Sequence, residues 1–250
     1  MKSHAVMIAL ACLCLPGAGC ADGGGAIATQ AMASAAGGVE GTYAEFLPGC
    51  RQRLTGGEHA VAASEAERQC AAEWKGIETA RSLAETVTKA ATFAEPDGVD
   101  AATLRQALTA VSWRSGDQRG EWRGTLGDLG VSLSAGRVQE LSFYMDWGFE
   151  DDGDISPPNV IVALRERGHV LEPLLCGWLG GTYESVYKVT GIDAGSQPFM
   201  LVIEKDNPMT ANQGFSYSVR VALDGRNPSP EQLHEDWYSN FGKSADLDCD

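Results

Sequence analysis

The sequence predicts an α+β fold, with an N-terminal helical segment packed on a mainly antiparallel meander sheet and one inserted helix. Three observations carry this. Between Thr42 and Phe93 apolar residues recur every three or four positions, which is the helical period. From Trp113 onward the period falls to two, with Gly- and Asp-rich turns between the runs. One Pro-initiated segment ending at Gly168 breaks the strand pattern once. Strands grouped together with helices set apart from them make an α+β domain, not a doubly wound parallel sheet.

In order along the chain, residues 1–19 read as a signal peptide, 20–41 as a Gly/Ala/Ser-rich tether, 42–98 as the helical segment and 99–250 as the α+β domain. Lys2 is the only early charge, and Ala5 to Leu15 is an unbroken apolar run of eleven residues, too short to span a bilayer but right for an export signal. Pro16, Gly17, Ala18 and Gly19 then supply small residues ahead of Cys20. The segment Leu15-Pro16-Gly17-Ala18-Gly19-Cys20 resembles the lipobox of bacterial lipoproteins, with Gly17 where Leu is usual. That resemblance implies lipidation of Cys20; a plain cut after Ala21 is also open. Ala21 to Val39 is mostly Ala and Gly and reads as a flexible tether with a reach of roughly 25 Å.

In the helical segment, Ser64 and Glu67 have capping-box spacing, and Cys70, Trp74, Ile77, Ala80, Ala84, Val87 and Ala91 form the apolar stripe. Leu47-Pro48-Gly49-Cys50 reads as a turn, and Pro96, Asp97 and Gly98 as the stop. Asp100 opens a short helix whose inner face is Leu104, Leu108 and Val111.

Strands are expected around Val131 and Leu133, from Val138 to Trp147, from Tyr183 to Val189, from Phe199 to Glu204 and from Phe215 to Leu223. In the last of these Phe215, Tyr217, Val219, Val221 and Leu223 point inward, and Ser216, Ser218, Arg220 and Ala222 outward. It follows its predecessor as a hairpin with a long loop. The inserted helix has Ser156 as cap, Pro157 at its first position, Val160, Ile161 and Leu164 inward, and Gly168 as stop.

Charge narrows the function. The 250 residues include 34 acidic and 19 basic side chains, a formal charge of −15. Nucleic acid is excluded as the main partner, because phosphate is held by clustered Lys and Arg. A basic protein partner is expected instead. Removing the signal peptide discards Cys12 and Cys14; lipidating Cys20 then leaves Cys50, Cys70, Cys176 and Cys249 as an even set for two disulfides in an oxidising compartment. Four cysteines allow three pairings, and Cys50 with Cys70 and Cys176 with Cys249 is the one expected here.

No nucleophile elbow, zinc-protease, phosphate-loop or dinucleotide motif is present. His59, His169 and His234 stand in different elements without metal-ligand spacing. Cys176 follows His169 by seven residues, but a paired cysteine is no nucleophile.

The densest local feature is Asp146-Trp147-Gly148-Phe149-Glu150-Asp151-Asp152-Gly153-Asp154. A solvated turn explains it, and Asp152 and Asp154 suit the start of the helix that follows. The alternative is a contact surface for a basic partner, made of Asp146, Trp147, Glu150, Asp151, Asp152 and Asp154 with Trp178, since exposed Trp beside charge is typical of interfaces. No cofactor is expected; calcium is the single ion whose oxygen preference these carboxylates meet, although the spacing is not that of an EF-hand.

The resulting expectation is a periplasmic, lipid-anchored binding protein: an inhibitor or immunity protein that neutralises an antibacterial envelope-degrading enzyme. The alternatives are an envelope hydrolase using carboxylates such as Asp146 with Glu150 or Asp152, and a structural or assembly lipoprotein.

Overall fold

Thr42 opens the first helix, α1 (Tyr43–Thr55): the Glu45 carboxylate accepts from the Thr42 amide at 2.7 Å and from its hydroxyl at 3.1 Å. The structure, a computed structural model, describes residues 41–57, 60–114, 121–134, 136–147, 158–179, 182–191, 197–206, 215–226, 228–229 and 231–235. Helix α1 runs through Pro48, so the turn expected at Leu47–Cys50 is helical. The amide that Pro48 lacks would have bonded one carbonyl in the first turn, on a mostly exposed helix where water can replace it.

Helix α2 (Ala63–Ala91) spans 29 residues, about 43 Å. Its cap is Ala62, not Ser64, because the helix is entered two residues earlier than the capping-box spacing suggested; the Ala66 amide already bonds the Ala62 carbonyl at 2.9 Å. The expected stripe holds, with Cys70, Trp74, Ala80, Ala84, Val87 and Ala91 buried and Ile77 half-buried.

The two ends of α2 have different neighbours. Its first turns lie against α1, joined by the expected Cys50–Cys70 disulfide, with Cα atoms 5.9 Å apart. The Tyr43 and Phe46 rings sit 6.1 and 5.4 Å from the Trp74 indole. Arg51 pairs with Glu67 at 2.8 Å, and Arg53 pairs with Glu73. From Ala80 onward α2 enters the main core.

Helix α3 (Ala101–Ala107) is capped by Asp100, whose carboxylate accepts from the Thr103 amide at 3.0 Å, and Leu104, Leu108 and Val111 are buried as expected. Helix α4 (Val160–Glu166) is capped by Asn159, which accepts from the Val162 amide at 3.2 Å. The cap expected at Ser156 therefore moves to Asn159; Ser156 and Pro157 lie outside the described residues. Gly168, at φ +82°, ends the helix as expected, and the His169 amide reaches back to the Leu164 carbonyl at 3.0 Å.

The strands are β1 (Val99–Asp100), β2 (Ser112–Arg114), β3 (Trp122–Leu126), β4 (Leu129–Leu133), β5 (Arg137–Val138), β6 (Glu140–Trp147), β7 (Val170–Leu179), β8 (Thr182–Thr190), β9 (Phe199–Asp206) and β10 (Phe215–Ala222). β1 and β5 form a small ribbon, and the rest make one eight-stranded antiparallel sheet in the order β2-β3-β4-β6-β10-β9-β8-β7. Two meanders meet at its centre. The first grows from β2 to β6; the chain then crosses through α4 to the far edge at β7 and returns strand by strand until β10 pairs with β6.

One face is the core. Val131, Phe143 and Val219 stand in one row across three strands, with Ile203 next to them. They pack with Leu83 and Val87 of α2, Leu104 of α3, and Val160 and Leu164 of α4. Alternation puts polar residues on the opposite face. Ala222, expected on that outer face, does lie there but is buried, because Leu174, Leu175, Val186, Met200, Val202 and Leu233 form a second, smaller apolar patch around it. The side chain of Phe215, expected inward, lies outside the described residues.

Candidate functional site

The face that α2, α3 and α4 leave uncovered holds a mixed charge cluster built by strand register. β8 pairs with β9 so that Glu184 stands opposite Glu204, and β9 pairs with β10 so that Arg220 stands opposite Val202, one step along the same face. β10 in turn sets Ala222 opposite Glu140 on β6. All four charged residues occupy outward slots whose inward neighbours are core, so burying the apolar row forces these side chains together.

Arg220 is the hub. Its Nη2 donates to Glu204 Oε1 at 2.6 Å and to Glu184 Oε2 at 3.2 Å, while Nη1 lies 3.5 Å from Glu140 Oε1. Beyond Glu140, Arg226 stands 3.5 Å from Glu140 Oε2 and 3.1 Å from Asp224 Oδ2. Ser218 donates to Glu204 Oε2 at 2.9 Å. Two arginines thus face four carboxyl groups, Glu140, Glu184, Glu204 and Asp224.

The side chains at the centre keep only a quarter to a third of their exposure: Glu184 24%, Arg220 28%, Glu140 30% and Glu204 33%. Partial burial disfavours ionisation of Glu184. Its hydrogen bond to Glu204 and the nearby Glu204 and Glu140 charges push the same way, against Arg220, so its carboxyl is pushed up to about 7.

The residues picked out from sequence are distributed otherwise. The backbones of Asp146 and Trp147 end β6, in register with Ser216 and Phe215. Trp178 is in β7, opposite Tyr183. β10, β9 and β8 lie between those two strands. The side chains of Asp146, Trp147 and Trp178 lie outside the described residues, as do Glu150, Asp151, Asp152 and Asp154 altogether, and Cys20 and Cys249. Cys176 is buried and disulfide-bonded, hence no nucleophile; its expected partner is outside the described residues. His169 contacts Thr88 instead, its Nε2 lying 3.4 Å from the Thr88 hydroxyl.

Among the described residues, no group of three or more His, Cys, Asp or Glu side chains is arranged to hold a metal ion, and no helix is long and apolar enough to cross a membrane. Sequence reasoning passed over Glu140, Glu184, Glu204 and Arg220. Each is a charge in an outward slot, and only register shows that they converge. Compared with known proteins, the chain matches no family model, no curated protein and no solved structure.

Proposed function

We propose that this chain is an exported binding protein, tethered to the bacterial envelope through lipid on Cys20, that captures a basic protein on the half-buried charge cluster of the sheet face opposite α2, α3 and α4. The role that fits is an inhibitor or immunity protein that neutralises an antibacterial envelope-degrading enzyme in the periplasm. One observation carries the reading: the face opposite α2, α3 and α4 concentrates carboxyl groups in excess of its arginines, on strands fixed from behind by the helical core. A rigid face needs little ordering on binding, and its charge selects a cationic surface and speeds encounter. The formal charge of −15 supports the same partner chemistry.

Hydrolysis through carboxylates is the second reading, favoured by the raised Glu184. Against it, Glu184 and Glu204 are both held on one nitrogen of Arg220, whereas glycoside hydrolysis needs two carboxyls flanking the scissile bond with the substrate between them.

The test adds the purified chain, residues 20–250, to any envelope-degrading enzyme encoded beside its gene. Inhibition is expected, weakening as salt is raised and in Glu140→Gln/Glu204→Gln protein. An enzyme left fully active by an excess of the folded chain overturns the proposal. Turnover of envelope substrate by the chain itself overturns it too, in favour of a hydrolase.

A further inference from the structure

We infer that Glu184 and Glu204 form a single proton-binding site on the sheet face opposite α2, α3 and α4, and that a cationic partner expels this proton as it docks. The second half rests on the function proposed above; the first stands on geometry. Three carboxyl groups from three strands, Glu140, Glu184 and Glu204, converge on one guanidinium. The two that stand in direct cross-strand register, Glu184 and Glu204, both accept from the same nitrogen, Arg220 Nη2, at 3.2 and 2.6 Å, so two carboxyl groups crowd one cationic atom. Like charges this close ionise as a pair, and the second ionisation is held back until a further cation arrives.

Among the described residues, the only cations paired with this cluster are Arg220 and Arg226. From β9 comes Glu204, from β10 Arg220, from β6 Glu140, and from the segment after β10 Asp224 and Arg226, of which Arg226 is engaged by Glu140 and Asp224. On β8 itself Lys188 lies two repeats of the pleat further on, opposite Glu172 of β7, while the β7 residue opposite Glu184 is the uncharged Gly177. Asp206 of β9 and Asp146 of β6 follow along the same rows by register, in line with Thr182 and Ser216. The helical turn at 231–235, whose Leu233 sits on the adjoining apolar patch, carries Glu231, His234 and Glu235.

Burial supports the assignment: the Glu184 carboxyl is pushed up to about 7. In balance, the face carries one shared proton when free. When a Lys or Arg side chain docks, the O–H bond breaks, the proton passes to buffer, and two carboxylates face the new cation. No oxidant, reductant or co-reactant is needed.

The experiment follows the glutamate side-chain carboxyls of the full mature chain by carbon-13 NMR from pH 4 to 9, in the wild type, Glu184→Gln and Glu204→Gln, and then adds hexalysine as a cationic probe. One carboxyl is expected to titrate near neutrality, to vanish in Glu184→Gln and to move down by a unit or more in Glu204→Gln. Hexalysine is expected to bind this face about fivefold more tightly above the titration than below it. Calorimetry in two buffers of different ionisation heat should register proton release, absent in Glu184→Gln. If every glutamate of the wild type titrates below pH 6, the inference is overturned, whether or not hexalysine binds. If the neutral titration is present but hexalysine leaves the resonances of this face unmoved, the proton site stands, and proton expulsion and the basic-partner reading fall together.

Discussion

Glu184 and Glu204 stand opposite each other across β8 and β9, and both accept from Arg220 Nη2 of β10, at 3.2 and 2.6 Å, which links an edge-proximal strand to the sheet interior. The pair lies on the face away from α2, α3 and α4, where Arg220, Glu140 and the neighbouring strands leave it a quarter to a third of its exposure. That half-wet position makes a surface group answer to pH near neutrality.

Stability should therefore fall with rising pH through this group. In the unfolded chain Glu184 ionises near 4.5, whereas in the fold it does so near 7. Between those values the folded chain holds a proton that the unfolded chain has lost, so the neutral acid's contribution is complete below about pH 4.5 and is lost as pH rises through 7. This is the reverse of a salt-bridged carboxylate. With a quarter of the side chain exposed, the effect is about 1–2 kcal/mol. Denaturant unfolding at pH 5 and pH 8 checks it. Glu184→Gln should remove that much of the pH difference and be more stable than wild type at pH 8; an equal pH difference in both proteins refutes it.

Arg220 is the guanidinium on which Glu140, Glu184 and Glu204 converge. Arg220→Met keeps the hydrophobic stem but leaves the three carboxyls without it, and the expected loss is about 2–4 kcal/mol at pH 8. Protonation relieves the repulsion, so the loss should shrink at pH 5. A pH-independent loss in urea unfolding would mean that packing of the stem, not charge, dominates.

What could be read in the sequence was whatever depends on near neighbours. The apolar stripe of α2, the Asp100 cap, the Gly168 stop and the alternation of β10 are local patterns, and each stands where those patterns put it. Strand β7 escaped because Pro173 removes a donor and Leu174 and Leu175 break the two-residue period. Pairing shows why: register shifts between Pro173 and Leu175, an irregularity tolerated on a sheet edge. The charge cluster escaped for a different reason. Glu140, Glu184, Glu204 and Arg220 are brought together by which strands pair and in what register, and the return of β10 to β6 is long-range information that no local period carries.

The Cys50–Cys70 disulfide closes a separation of 20 residues, for which the unfolded-chain entropy amounts to about 3 kcal/mol. Helix α1 is buried only at Cys50 and rests on α2, so the loss should be local. In Cys50→Ala/Cys70→Ala protein, hydrogen exchange should show amides of α1 losing protection while those of β6 and β10 keep theirs. Uniform loss across the sheet would show that α1 supports the whole core.

Tyr217, on the core face of β10, donates its hydroxyl to the Pro158 carbonyl at 2.8 Å and fixes the approach to α4. Tyr217→Phe strands that carbonyl and should destabilise by about 1–2 kcal/mol. Burial also holds the phenol well above its ordinary ionisation range, so ultraviolet titration should find it silent below pH 11 until the fold opens. Ionisation of Tyr217 in the intact protein at pH 10 contradicts this.

Gly98 and Gly136 have nearly the same backbone, φ +82° and +79°, but opposite surroundings. A side chain disfavours that conformation by about 1 kcal/mol at either site. At Gly136 a Cβ would meet nothing within 4 Å, so Gly136→Ala should lose no more than that. At Gly98 a Cβ would lie 2.6 Å from the Val138 carbonyl oxygen, which belongs to the β5 strand that pairs with β1. Backbone cannot rotate aside like a side chain, so Gly98→Ala must open the β1–β5 ribbon or shift α3 behind it. The expected loss is about 2–3 kcal/mol or more, at least twice that of Gly136→Ala. Thermal unfolding of the two variants side by side decides it: equal midpoints would mean that conformation alone, without the Val138 contact, sets the requirement for glycine.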